Sequence, residues 1–221
     1  MIIVNYKTYE QGSGLQAIEL TKKLQQAAEN RTVPVVVAIA PIDLEEVVRV
    51  TNLPVWVQNI DPITYGAHTG QTLAEEAKRI GASGTLLNHS ENKYPDFEKL
   101  EFAIRHAQNI GLEVLVFASD LAELELILKL KPNFASYEPP ELVGSTTVSV
   151  AQAQPEIIGK AAEICKAANI PLVVGAGIHS TEDVRVSIKQ GAIGVAVATD
   201  IVKSDDPGKS LQELLEGFVQ I

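Results

Sequence analysis

The chain has 221 residues, 46% of them hydrophobic and 21% charged, enough apolar material to bury a full core and too much for a disordered chain. Its formal net charge of −10, with no basic cluster, argues against a nucleic-acid partner and requires any anionic ligand to be held by local groups. The single cysteine, Cys165, excludes an internal disulfide and a multi-cysteine zinc site, and its apolar helical surroundings make it a small core residue.

In chain order, short β-branched runs alternate with stretches of helical spacing. Residues 2–4 precede a helix over 15–28, where Leu15, Ile18, Leu20, Leu24 and Ala28 recur at about 3.6 residues. Runs at 33–39, 55–57, 84–87 and 113–117 precede helical patterns at 44–50, 73–80, 97–110 and 121–130. Runs at 133–137, 171–174 and 194–198 precede patterns at 157–168, 181–188 and 211–219. About eight strand-plus-helix units predict a closed parallel α/β barrel, a (β/α)8 fold occupying 1–221 as one domain. A doubly wound open sheet would carry fewer strands and a nucleotide loop after the first.

Strands that read as continuous apolar runs suit parallel strands covered on both faces. Gly81, Gly111 and Gly191 stand where helices would end. The longest non-periodic loops are 59–72 and 139–154, and loops of that length in a compact domain are commonly functional. The N-terminal Met1-Ile2-Ile3-Val4 lacks a signal-peptide n-region, and no apolar run is long enough for a membrane span. A cytoplasmic protein without membrane contact is the expectation.

Polar residues at the C-terminal ends of barrel strands share one mouth whatever their separation in sequence. Those positions offer Asn5 and Lys7 after strand one, His89 after strand four and Glu138 after strand six. Taken singly, each has an ordinary reading as a solvated charge or a structural hydrogen-bonder. Together they supply a cation, an imidazole and a carboxylate, which is a proton-transfer set. Pro139-Pro140 ends the sixth strand, and Gly144 makes the following loop a candidate hinged lid over Glu138. Gly175-Ala176-Gly177 and Ala198-Thr199-Asp200 follow strands seven and eight, where backbone N–H groups could meet an anion. Ser180 or Thr181 would cap the helix after strand seven.

Asn5-Tyr6-Lys7, Asn88-His89-Ser90-Glu91, Tyr137-Glu138-Pro139-Pro140-Glu141-Leu142-Val143-Gly144, Gly175-Ala176-Gly177 and Lys203-Ser204-Asp205-Asp206-Pro207 stand in the order found in one family. In them the whole chain resembles the triosephosphate isomerases in their short archaeal form, and so a TIM barrel. The resemblance implies interconversion of dihydroxyacetone phosphate and glyceraldehyde 3-phosphate through an enediolate, a step of glycolysis and gluconeogenesis. It implies the family's roles: Glu138 as base, His89 as neutral electrophile, Lys7 offsetting oxyanion and phosphate charge, Asn5 orienting substrate, and Glu91 serving the local scaffold. Backbone N–H groups near Val143, Gly177, Ala198 and Thr199 would meet the phosphate. The resemblance also implies that no metal or organic cofactor is needed and that the protein is a homo-oligomer, dimer or tetramer, with 66–72 as its interface arm.

Two departures bear on the phosphate. The family's Gly-Thr-Gly at the lid tip is Gly144-Ser145-Thr146 here, and its Ser-Gly after strand eight is Thr199-Asp200. A carboxylate beside a dianion would repel it unless Asp200 turns away, and its strong N-cap preference predicts that it caps the next helix. The alternatives are a non-catalytic barrel that binds a small phosphosugar or anion, and a phosphosugar aldolase or epimerase. For an aldolase Lys7 is poorly placed, since a Schiff-base lysine would sit on a central strand.

Overall fold

The computed structural model describes residues 1–139, 150–153 and 155–218. Eight strands pair in sequence order, all parallel, and the eighth closes on the first. They are β1 (Ile2–Asn5), β2 (Val35–Ile39), β3 (Val55–Val57), β4 (Gly84–Leu87), β5 (Glu113–Ala118), β6 (Phe134–Tyr137), β7 (Leu172–Val174) and β8 (Gly194–Val197). The helices are α1 (Gly14–Ala28), α2 (Leu44–Val48), α3 (Ala74–Ile80), α4 (Phe97–Asn109), α5 (Leu121–Lys129), α6 (Val150–Ala153), α7 (Pro155–Ala167), α8 (Thr181–Lys189), α9 (Thr199–Val202) and α10 (Pro207–Glu216). The expected (β/α)8 TIM-barrel architecture is therefore present.

Why the strands read as unbroken apolar runs is clear from their two faces. Ile3, Val36, Ala38, Trp56, Leu86, Leu115, Phe117, Val173 and Ala196 fill the barrel interior. Their neighbours one residue along, such as Ile2, Val4, Val35, Val37 and Leu87, pack outward under the helices. Because side chains alternate with period two, apolar residues are needed at consecutive positions, and the strands depart from this mainly at their ends. The interior parity also places the site: Ile3 and Asn5 share a face, as do Phe134, Ser136 and the position that follows them, Glu138.

Close approach at the seams explains two strand glycines. A Cβ on Gly84 would lie 2.4 Å from the Trp56 ring, and one on Gly194 would lie 2.3 Å from the Met1 carbonyl oxygen. The second contact is at the barrel closure, where Val195 N–H donates to Met1 O at 3.0 Å.

Helix ends follow local chemistry. Asp96, Asp120 and Asp206 accept hydrogen bonds from the third helical N–H of α4, α5 and α10. Ser180, not Thr181, caps α8, and Asp183 completes a reciprocal capping box. Gly81, Gly111 and Gly191 have φ of 122°, 82° and 103°, the conformation expected of them. The α6 and α9 turns and the 3-10 turns Glu10–Gly12 and Pro41–Asp43 have no counterpart in the periodicity, since a single turn is too short to show one.

Loop 59–72 is drawn together at its base: Asp61 N–H donates to Thr72 O at 2.9 Å, and Thr72 N–H donates to Asp61 Oδ2 at 2.6 Å. Residues 140–149, where the lid is expected, with Val143, Gly144 and Thr146, lie outside the described residues. Cys165 is buried, as its setting predicted. Among the described residues, no helix is long and apolar enough to cross a membrane.

Candidate active site

The chain leaves β1 through Lys7, which has φ 49°, a conformation that costs a residue with a Cβ about 1–3 kcal/mol and persists only when neighbours hold it. Asn5 Oδ1 accepts from Lys7 N–H at 3.0 Å, and Gln58 Nε2 donates to Lys7 O at 2.9 Å. The peptide flanking Lys7 is thus held on both sides, and the ammonium reaches Glu91 Oε1 at 2.7 Å. With its side chain only 11% exposed, Lys7 is not the freely solvated lysine of the ordinary reading.

The exit of β4 is shaped by Asn88, also in the left-handed region at φ 60°. Its Nδ2 donates to Phe117 O at 3.0 Å and to Glu123 Oε1 at 2.9 Å, while Oδ1 accepts from Tyr94 N–H at 3.3 Å. Burial would raise the Glu123 pKa, but hydrogen bonds from Lys93, Ser119 and Asn88 hold the carboxyl below its usual range. The anchor for Asn88 is therefore a charged acceptor.

His89, 8% exposed, meets the Phe117 ring edge-on at 4.9 Å between centroids. Its Nδ1 accepts from Glu91 N–H at 3.2 Å. An Nδ1 that accepts carries no proton, so this network assigns the neutral tautomer with hydrogen on Nε2. Nδ1 also lies 3.6 Å from Glu91 Oε2, beyond hydrogen-bond reach, and the backbone bond decides the tautomer. Glu91 thereby touches both Lys7 and His89 and positions the two, in keeping with the expected scaffold role.

Glu138 follows β6 on the interior parity and is 7% exposed. Its Oε2 stands 3.1 Å from His89 Nε2, yet among the described residues it has no hydrogen-bond partner of acceptable geometry. Imidazole and carboxylate therefore lie side by side, and among the described residues Glu138 Oε2 keeps its acceptor capacity free. Room for the carboxylate depends on Gly175, where a Cβ would lie 2.4 Å from Glu138 Oε1. That glycine, read from the sequence as part of an anion loop, also makes space for the base.

One cleft is lined by Asn5, Lys7, His89, Glu138, Gly177, Ala198 and Thr199. Every described residue of the expected site thus meets at one mouth; Val143 lies outside the described residues. Ala176 and Gly177 are both left-handed, with φ of 70° and 67°. Thr199 Oγ1 is 3.1 Å from the Tyr9 hydroxyl, and Tyr9 carries the Lys203 ammonium 5.0 Å from its ring centroid.

The expected capping role of Asp200 is overturned. Ala198 occupies the N-cap of α9, with no side-chain cap, and the Asp200 carboxylate pairs with His179 Nδ1 at 2.7 Å. The His179 Nδ1–H is a better partner for the carboxylate than the N-terminus of a one-turn helix. Gln58, His179 and Phe117 lie at or beside the cleft and escaped the sequence reading; only their placement at strand ends could have signalled them.

With this geometry in place, comparison with known proteins is informative. A triosephosphate isomerase family model matches residues 1–218. The chain is 36% identical to the triosephosphate isomerase of Sulfurisphaera tokodaii over 97% of this chain and 93% of that one. It is 35% identical to that of Methanocaldococcus jannaschii, over 98% and 99%, and 36% identical to that of Thermoplasma volcanium, over 97% and 99%. A match running from β1 through α10, on a closed barrel whose strand ends gather lysine, histidine and glutamate, makes this chain a member of the triosephosphate isomerase family.

Proposed function

We propose that this triosephosphate isomerase divides its proton transfer among Glu138, His89 and Lys7. The buried Glu138 carboxylate takes the proton from the carbon of dihydroxyacetone phosphate and returns it to the neighbouring carbon, giving glyceraldehyde 3-phosphate. His89 donates Nε2–H to the carbonyl oxygen as charge develops there, and its neutral state follows from the Glu91 N–H that occupies Nδ1. Lys7 places a positive charge at the rim of the same cleft, while Asn5 holds the Lys7 turn and faces the substrate. Backbone N–H groups of Val143, Gly177, Ala198 and Thr199 receive the phosphate. Closure over residues 140–149 excludes water, protecting the enediolate from loss of phosphate.

The observation that carries this reading is the 3.1 Å approach of Glu138 Oε2 to His89 Nε2, with both groups buried and neither spent on the other. A coupled assay of glyceraldehyde 3-phosphate conversion, run beside Glu138→Gln, tests it. Activity that survives in the variant would remove Glu138 from its role.

Residues 1–221 act in this reading as one barrel domain, and the protein works as a homo-oligomer, dimer or tetramer. Support for assembly comes from the family and from exposed apolar side chains: Tyr65 in loop 59–72 is 66% exposed and Ile42 is 90% exposed.

A further inference from the structure

His179 and Asp200 form a pair that the proton transfer leaves unused. His179 follows the Gly175-Ala176-Gly177 turn, Asp200 lies in α9, and both line the cleft that contains His89 and Glu138. Their contact, Nδ1 to Oδ2 at 2.7 Å, is short and one-sided. The other ring nitrogen, Nε2, is buried and has no hydrogen-bond partner among the described residues. A buried ring nitrogen without a partner is costly unless a ligand supplies one.

We propose that His179, oriented by Asp200, is a further substrate-phosphate ligand, and that binding of the phosphate dianion draws one proton onto His179 Nε2. This rests on the reading that the phosphate lies at the ends of β7 and β8. The physical reason is charge. A neutral imidazole whose Nδ1–H is given to Asp200 presents a lone pair at Nε2, which repels a phosphate oxygen, and the adjacent carboxylate adds to the repulsion. A proton from solvent turns Nε2 into a charged donor and lets Asp200 stabilise the imidazolium, so His179 and Asp200 together become neutral beside the dianion. Asp200 is then a positioning residue, and its pairing with His179 offsets the repulsion that this chain's carboxylate would exert on the phosphate.

The other ionisable groups are already placed. Asp183, in α8, faces the His179 backbone, but Oδ2 accepts from His179 N–H, Ser180 N–H and Ser180 Oγ, and Oδ1 accepts from Gln152. Lys7, His89 and Glu138 line the same cleft, and Lys7 is paired with Glu91. None of these contacts satisfies His179 Nε2.

The test is calorimetric binding of glycerol 3-phosphate, which is a dianion at pH 8 and carries no carboxylate whose charge would make Glu138 take up a proton of its own. Titrations in two buffers of different ionisation enthalpy give the protons taken up per site. For the wild-type protein, uptake at pH 8 is expected to approach one proton per site. In His179→Gln it is expected to fall to near zero, with affinity about tenfold weaker and the kinetic loss larger in KM than in kcat. Asp200→Asn should lose most of the uptake while keeping the ring. Competitive binding with less than about 0.2 proton taken up at pH 8, or uptake unchanged in a folded His179→Gln protein, overturns the inference. A failure of glycerol 3-phosphate to compete with triose phosphate instead removes the phosphate site itself. If neither variant folds, the wild-type uptake at pH 8 decides alone.

Discussion

Glu138 and Gly175 show how finely the base is placed. A Cβ at Gly175 would stand 2.4 Å from Glu138 Oε1 and 3.1 Å from its carboxyl carbon, so Gly175→Ala must push the carboxylate aside. Because the obstructing atoms are the end of a flexible side chain, the fold should survive while kcat falls by about tenfold or more, as displacing a reacting group by a fraction of an ångström does. Circular dichroism and steady-state kinetics on one preparation check both halves. Glu138→Asp shortens the same arm by one methylene and should also lose at least about tenfold in kcat. Cys165 makes a different point at this scale. Burial pushes its thiol from an ordinary 9.0 up to about 12, so it should resist a thiol-exchange reagent in the native protein and react fully in guanidinium. The sign for stability follows: the unfolded chain releases this proton near pH 9 while the folded chain keeps it, so the unfolded state binds fewer protons. Its contribution is therefore unchanged below pH 9 and falls as pH rises from about 9 to 12, which denaturant titrations across that range would reveal.

The elements repeat one division of labour. Each strand supplies an interior residue that ends in the mouth and an outward residue that packs beneath a helix, and the helix caps set where each loop turns. At α8 the capping box of Ser180 and Asp183 does more than end a helix. Asp183 Oδ2 also accepts from His179 N–H at 3.1 Å, so the box fixes the backbone from which His179 reaches Asp200. Ser180→Ala should cost about 1 kcal/mol in a denaturant titration, and it should weaken substrate binding as well, because it loosens that backbone. A stability loss with an unchanged KM would confine the box to the helix. The pattern of apolar residues located seven of the eight major helices to within two residues at their N-termini. The helix after β8 was the exception: it begins at Pro207, because Asp206 and Pro207 start it before its apolar spacing becomes visible.

At the scale of the whole molecule, the barrel stands or falls with its closing seam. Met1 O accepts from Val195 N–H at 3.0 Å, and Ile2 stands opposite Val195. A Cβ at Gly194 would lie 2.3 Å from that same carbonyl, and here the obstacle is backbone. Gly194→Ala should therefore separate β8 from β1 and cost about 2 kcal/mol or more, measured by guanidinium unfolding. This is the reverse of the outcome expected at Gly175. Assembly is tested by sedimentation velocity, which should give a dimer or a tetramer; a monomer at micromolar concentration would refute the proposed homo-oligomer.

The sequence by itself determined the eight-fold alternation, the two-faced strands, the glycine ends of three helices and the residues at the strand ends, because each is written in local spacing or in residue chemistry that acts within a few positions. It also pointed to Lys7, His89 and Glu138, since parallel strands bring their C-terminal ends to a single mouth. Tertiary structure alone decided how those groups meet. The His89 tautomer depends on the Glu91 N–H, the Lys7 turn on Gln58 from another strand end, and the place of Glu138 on an absent Cβ at Gly175. Asp200 was read wrongly as a cap, because its partner lies 21 residues earlier in the chain. Local propensity favoured the helix N-terminus, and the pairing of β8 beside β7 supplied an imidazole that bound the carboxylate better.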